Sequence, residues 1–301
     1  MSVCAMHEIF AAIEGGGTKW ICALGTKDGN LLDEISIPTT SPEETLSKVV
    51  AALNSLAAKH GKFSAIGIGT FGPIVLDPNA ENYGSYLQTP KEGWSHFNLI
   101  QSLRQVFGEA MPILLDTDVN TAAYAEAAEA KRGDNQSVRN ICYITVGTGI
   151  GGGVYMDGKL LKGRMHSEIG HLIVQESENE PAKGFSVCPF HSSCIEGKAS
   201  GTAMQARWGN NYDEFPQEAW ELEAHYLGQL CVTLTACYSP EQIIFGGGVS
   251  NKKGLMPMIR SEFETLAGGY WDLPSLDGYI VQTLLDDRAG LIGALLLAVE
   301  A

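Results

Sequence analysis

Cys188, His191 and Cys194 fall within the short run Cys188-Pro189-Phe190-His191-Ser192-Ser193-Cys194. Three soft ligands at Cys-x2-His-x2-Cys spacing suit a tetrahedral zinc ion, and a pair of free thiols beside a chance histidine is the weaker reading. A fourth ligand must come from elsewhere. His171, in Glu168-Ile169-Gly170-His171, is the nearest upstream candidate, and His166 competes with it. Four protein ligands leave no open position, so such a site is structural. Glu196 follows the cluster directly, and a metal there could brace a carboxylate that binds substrate.

Three glycine runs offer a second chemistry: Gly15-Gly16-Gly17-Thr18-Lys19, Gly147-Thr148-Gly149-Ile150-Gly151-Gly152-Gly153, and Gly246-Gly247-Gly248 within Phe245–Ser250. Glycine lets the backbone approach an anion closely and aim N–H groups at it. Thr18 adds a hydroxyl and Lys19 a charge. None is a Walker loop, which needs Gly-Lys-Ser/Thr leading into a helix, and none has the Rossmann spacing in its strand-to-helix context. Each run alone is more often a tight turn than a phosphate site. Together, with two at matching points of a repeat, they favour a nucleotide held between two lobes.

The third candidate is a carboxylate. Ile113-Leu114-Leu115 runs into Asp116-Thr117-Asp118-Val119-Asn120, and open α/β sheets place their chemistry beyond strand carboxyl ends. A carboxylate there could take the proton of a sugar hydroxyl as it attacks a γ-phosphate. Equally, Asp118 or Asp116 could cap the helix that follows. Spacing leaves the two readings level.

The elements that must position these groups read as an α/β chain. Ile9–Ile13, Trp20–Leu24, Leu31–Ile37, Ile66–Gly69 and Ile141–Val146 are short β-prone runs. Glu43–His60 has helical periodicity, with Leu46, Val49, Val50, Leu53 and Leu56 on one face, Ser41 as N-cap and Pro42 at the first helical position. Thr121–Lys131 and Ala289–Val299 also read as helices. The order strand, glycine turn, strand, Asp-Gly turn, strand occurs twice, with Asp28-Gly29-Asn30-Leu31-Leu32 matching Asp157-Gly158-Lys159-Leu160-Leu161. This is an internal repeat of two lobes. The expected division is residues 1–118 as a small lobe, with a helix over 288–301 packing back on it, and 119–287 as a large lobe that carries the zinc loop. Glu176–Lys183 reads as a polar surface loop.

A chain of 301 residues with 45% hydrophobic composition can bury a large core. Its formal net charge of -15 opposes nucleic-acid binding, so any phosphate site must work through local N–H groups, a few cations and bound metal. No apolar run approaches a bilayer span, and Met1–Glu8 does not resemble a secretion signal, so a cytoplasmic protein without membrane partners is expected. The 7 cysteines are odd in number and scattered, which excludes a disulfide framework. Cys4, Cys22, Cys142, Cys231 and Cys237 are expected to pack as small hydrophobic residues.

Taken together, these motifs resemble those of the ROK (repressor, open reading frame, kinase) sugar kinases, and more narrowly their bacterial zinc-containing fructokinase branch. The resemblance rests on Ile13–Lys19, Gly69-Thr70-Phe71-Gly72-Pro73-Ile74, Thr89-Pro90-Lys91-Glu92-Gly93-Trp94, Asp116–Asn120, Thr145–Gly153, Glu168–His171, Cys188–Glu196 and Phe245–Val249. It implies an actin-like (ribonuclease H-like) fold of two lobes closing on ATP and sugar, with Asp118 as catalytic base. Gly15, Gly16, Gly17, Thr18, Lys19, Thr148 and Gly149 match phosphate-binding turns, and Gly246, Gly247 and Gly248 match the segment near adenosine. His171, Cys188, His191 and Cys194 match the zinc ligands, while Glu168, His171 and Glu196 match residues that contact sugar hydroxyls. Mg²⁺ would accompany ATP, fructose O6 is the expected acceptor, and a homodimer is common in similar proteins. The related alternatives are a glucokinase, mannokinase or other hexose kinase.

Thr117 stands where many glucose-specific relatives carry Asn, which fits the fructokinase branch. His191, Glu92 and Ser167 depart from residues common in relatives, namely Cys, Pro and Pro. A sugar-sensing repressor of the same family would need a DNA-binding helical domain before the first strand. That strand begins by Ile9 and the net charge is unfavourable, so this reading is disfavoured.

Overall fold

A computed structural model describes residues 8–89, 91–132 and 138–301. Met1–His7, including Cys4, and Pro90 of the Thr89–Trp94 motif lie outside the described residues. The elements run β1 (Ile9–Gly15), β2 (Lys19–Thr26), β3 (Leu31–Pro38), α1 (Pro42–His60), β4 (Ile66–Thr70), α2 (Leu99–Phe107), β5 (Ile113–Thr117) and α3 (Asp118–Arg132). They continue with β6 (Ile141–Val146), β7 (Ile150–Met156), β8 (Lys159–Leu160), α4 (Ile195–Ala199), α5 (Gly201–Trp208), α6 (Gln217–Tyr238) and β9 (Gln242–Gly246). The last are α7 (Leu255–Ala267), α8 (Leu276–Tyr279), β10 (Ile280–Gln282) and α9 (Ala289–Val299).

The chain forms two compact units. The first takes the chain up to Glu126, then Lys162–His166 and Arg288–Ala301, and the second takes Ala127–Leu161 and Ser167–Asp287. The first unit therefore keeps the opening residues of α3 beyond Asp118. It also claims Lys162–His166, because Lys162 Nζ lies 2.9 Å from Asp116 Oδ2 and His166 Nε2 accepts the Ile74 N–H at 3.1 Å.

Each unit is built on a five-stranded sheet, in the orders β3-β2-β1-β4-β5 and β8-β7-β6-β9-β10. In both, the first three strands are antiparallel and the last two join in parallel. The repeat visible at the two hairpins thus extends to whole sheets, an α/β arrangement of the ribonuclease H-like kind. The matching Asp-Gly turns differ in detail. Asp157 and Gly158 sit at φ 48° and 84° in a two-residue turn, the pair of left-handed residues that a tight hairpin demands. Between β2 and β3 the loop is longer, and Gly29 alone, at φ 80°, takes the left-handed conformation there.

Strand alternation divides the first core. Ala11 and Ile13 join Leu46, Val49, Leu53 and Leu56 on the α1 side, while Phe10 and Ala12 meet Leu291, Leu295 and Ala298 of α9 on the other. Ser41 caps α1, its hydroxyl accepting the Glu44 N–H at 3.4 Å ahead of Pro42. Val50, expected on the buried face, is only half-buried at its edge. Helix α9 lies so close to β4 that a Cβ at Gly67 would sit 1.9 Å from the Ala294 carbonyl oxygen. The second core gathers Ile144, Val146, Val154 and Phe245 of the sheet with Tyr226 and Leu230 of α6 and Phe263 of α7.

Two expectations need correction. The polar run Glu176–Lys183 is not simply a surface loop, since Ser177 and Glu180 are buried. Glu180 receives Arg207 through two bonds, at 2.9 and 3.0 Å, and the Tyr226 hydroxyl at 2.8 Å. A carboxylate so fully paired can be buried, and breaking such a pair costs about 3–5 kcal/mol. Cys22, Cys142 and Cys231 pack inside as expected, but Cys237 is exposed because it lies near the end of α6, on the face turned from the core. No helix among the described residues is long and apolar enough to cross a membrane.

Candidate active site and metal centre

The first glycine run is the turn between β1 and β2. The Gly16 N–H donates to the Lys19 carbonyl at 2.9 Å and closes the hairpin, which removes that N–H from any anion cradle. Thr39 Oγ1 donates to the Gly16 carbonyl at 2.8 Å, and the Phe71 N–H to that of Gly15 at 2.8 Å. Lys91 Nζ donates to the Gly17 carbonyl. Gly15 is small for packing reasons, since a Cβ there would lie 2.7 Å from Thr70 Oγ1 and 2.9 Å from the Trp20 ring. Thr18 and Lys19 are exposed.

In the same unit, β5 delivers Asp116, Thr117 and Asp118 to its carboxyl end. Asp116 is fully buried, and its Oδ1 accepts the Thr117 N–H at 2.8 Å and the Asn120 side-chain amide at 2.7 Å. Lys162 stands against its other oxygen. Thr117 Oγ1 accepts the Asn120 N–H at 3.2 Å and so caps α3. Neither aspartate does that work. Asp118, half-buried, accepts the neighbouring Val119 N–H at 2.9 Å through Oδ1 and also its own backbone N–H. Burial holds its carboxyl above the ordinary carboxylate range, opposed by those two N–H groups and by His166. A raised carboxyl that spends little on structure is suited to exchange a proton.

In the second unit the other two glycine runs adjoin. They leave neighbouring parallel strands, with Thr145 of β6 opposite Gly246 of β9. The Val249 N–H donates to the Val146 carbonyl at 3.0 Å, and Gly247, at φ 86°, has no room for a side chain beside Val146. The Gly147 N–H closes its own turn on the Gly149 carbonyl at 2.9 Å. Gly201 N–H and Thr202 Oγ1, from the start of α5, donate to the carbonyls of Gly147 and Thr148 at 2.7 and 2.8 Å.

Glu196 also belongs to this turn. Its Oε2 accepts the Ile150 N–H at 3.0 Å, and a Cβ at Gly149 would lie 2.6 Å from the same oxygen. The Glu168–His171 turn lies alongside, for a Cβ at Gly170 would meet the Ile150 carbonyl oxygen at 1.9 Å. Glu168 is exposed and His171 half-buried.

His171, Cys188, His191 and Cys194 place one donor atom each within 4.8 Å of one another. Cys188 Sγ is 3.9 Å from His171 Nδ1 and 3.6 Å from His191 Nδ1. Tetrahedral zinc with its usual bond lengths puts S and N about 3.6 Å apart, so these residues fit the ion. His166, the rival fourth ligand, has its Nε2 committed to Ile74 and stands outside this cluster. Cys194 Sγ accepts the Gly197 N–H at 3.4 Å and caps α4, whose second residue is Glu196. Burial pushes the Cys194 thiol up to about 11, and a bound divalent cation would deprotonate such a thiol outright.

Sequence reasoning missed Lys162, Lys91 and the cap at Thr117. The last had a legible signal, a threonine three residues before Asn120 at a strand-to-helix junction, and Lys91 stood within the Thr89–Trp94 motif.

Residues 10–301 match the model of the ROK family. The chain belongs to that family. Among its relatives, the fructokinase of Pediococcus pentosaceus is 40% identical over 97% of this chain and 98% of its own length. The fructokinase of Zymomonas mobilis is also 40% identical, over 98% of this chain and 97% of its own. Among solved structures, a ROK family glucokinase from Streptomyces griseus in complex with glucose and AMPPNP superposes with a TM-score of 0.76, at 25% identity, over 97% of this chain and all of that one. The fold is accordingly actin-like, as the duplicated sheet order requires.

Proposed function

We propose that this ROK family chain is a fructokinase, moving the γ-phosphoryl group of ATP to O6 of fructose. The observation that carries this reading is the 40% identity to fructokinases over nearly the whole chain, against 28% to the glucokinase of Halalkalibacterium halodurans. The placement of Asp118 supports the chemistry. The sugar hydroxyl gives its proton to the Asp118 carboxylate while its oxygen bonds to the γ-phosphorus. The bond from that phosphorus to the bridging oxygen breaks, and ADP leaves with the electron pair.

The chain's own contribution is positioning. The turns at Gly15–Lys19 and at Thr148 and Gly149 would face phosphates, and Gly246–Gly248 the adenosine. Mg²⁺ with ATP would neutralise charge on the phosphates. Glu168, His171 and Glu196 would hold sugar hydroxyls. Glu196 has one oxygen on the Ile150 N–H, which leaves Oε1 for a hydroxyl. His171 faces the metal cluster through Nδ1, which leaves Nε2 for the sugar. Zinc held by His171, Cys188, His191 and Cys194 would keep both in place. A cytoplasmic homodimer fits this reading, and light scattering on the purified protein reads the assembly state.

A coupled ADP-release assay over a panel of hexoses, with ATP and Mg²⁺, tests the reading. Fructose should give the highest kcat/KM. A higher value for glucose or mannose would reassign the substrate, and no turnover of any hexose would remove the activity.

A further inference from the structure

Lys19 is the cation that the first glycine run advertises, yet it is exposed at the start of β2, paired along the strand with Pro38. A different lysine occupies the turn. Lys91 Nζ donates to the Gly17 carbonyl, and a Cβ at Gly17 would lie 2.9 Å from Lys91 Cε and 3.0 Å from Nζ. The tip of the Lys91 side chain thus lies directly against residue 17.

The Lys91 carbonyl is anchored through Trp94. The Trp94 N–H donates to the Lys91 carbonyl at 3.2 Å, and Trp94 Nε1 donates to the Thr40 carbonyl at 2.9 Å. The Trp94 ring stacks on Trp20 at 5.3 Å and meets Phe71 and Tyr86 edge-on at 5.4 and 5.2 Å. Each such aromatic pair contributes about 0.5–1.5 kcal/mol beyond the area it buries, which holds Trp94 in place. Lys91 itself is half-buried.

Its charge is not balanced locally. Among the described residues no carboxylate pairs with Lys91, and one peptide carbonyl answers one of three ammonium donors. Two ammonium donors beside the glycine backbone thus remain to meet an anion.

We propose that Lys91 Nζ binds the γ-phosphoryl oxygens of ATP as that group passes to the acceptor hydroxyl. This rests on the kinase reading above. Lys91 neither gives nor takes a proton in the step. Its ammonium stays charged and meets the negative charge on the oxygens of the moving group.

The test separates this role from mere support of the turn. ADP–Mg²⁺ is titrated into wild type and Lys91→Met in the presence of fructose, with and without aluminium fluoride, which stands in for the phosphoryl group in flight. Wild type should gain affinity from the fluoride. Lys91→Met should lose at least about tenfold of that gain, with ADP alone shifted by no more than about threefold and an unchanged melting temperature. Turnover of the variant should fall about 10²–10³-fold with KM for fructose little moved, and propylammonium should restore part of the turnover of Lys91→Ala. An intact fluoride gain in Lys91→Met would overturn the proposal, as would equal losses of ADP affinity and fluoride gain together with a lower melting temperature. The titration needs no turnover, so a wild type that gains affinity from the fluoride yet phosphorylates no hexose sinks the fructokinase reading alone, whereas a wild type without that gain overturns the role of Lys91.

Discussion

The Thr117 hydroxyl accepts the Asn120 backbone N–H at 3.2 Å, so the helix behind the proposed base is capped by the residue just before that base. Thr117→Ala leaves the N–H without its protein partner. It should lower stability by about 1 kcal/mol, the usual worth of such a cap, and Thr117→Asn should recover most of it. Urea denaturation of the three proteins measures this.

Asp118→Asn should reduce kcat about 10³-fold, within the range for loss of a general base, while calorimetry finds fructose and nucleotide still bound. The stability effect has the opposite sign. Burial raises the folded carboxyl above its ordinary 3.8, so the protonated form is the better folded one. The charged group therefore costs stability at pH 7, and that cost disappears as pH falls below 3.8. Asp118→Asn should melt at a higher temperature than wild type near neutrality, with the difference closing in acid. In wild type, kcat/KM should decline as pH drops through the same raised pKa.

Metal analysis of freshly purified protein should find about one zinc per chain. Its removal by a chelator should lower the melting temperature and weaken fructose binding together, because His171 would be a ligand and Glu196 sits on α4, which the ligand Cys194 caps. Cys194→Ser should reproduce both effects. Zinc-free protein with full fructose affinity would sink the assignment.

Among the described cysteines, Cys237 should react first with a thiol reagent in the native protein, since it is exposed. Burial pushes the Cys22 and Cys142 thiols up to about 12, so both should stay unlabelled until unfolding. Mass spectrometry of the labelled peptides checks the order.

Local chemistry was legible in the sequence. Ser41-Pro42 marks the start of α1, and the apolar run Ala289–Val299 is α9 from end to end. The metal cluster was legible because two cysteines and a histidine fall on one loop. What stayed hidden depends on partners remote in the chain. Nothing near Asp116 announces Lys162, and the polarity of Glu176–Lys183 conceals that Glu180 is wanted inside by Arg207 and Tyr226. The glycine runs show where backbone can approach an anion, but not that the N–H groups of Gly16 and Gly147 are used to close their own turns.

Helix α9 covers one face of the first sheet, against Phe10, Ala12 and Ala23, yet it leaves the ribosome after every residue of the second unit. During synthesis that face stays open to water and to other chains while the second unit is already able to fold. Gly67, which admits the backbone of α9 so closely, offers no side chain to shield the strand in the interval. The nascent protein thus carries an unsealed apolar surface for most of its translation, a period in which a holding chaperone would find its natural target.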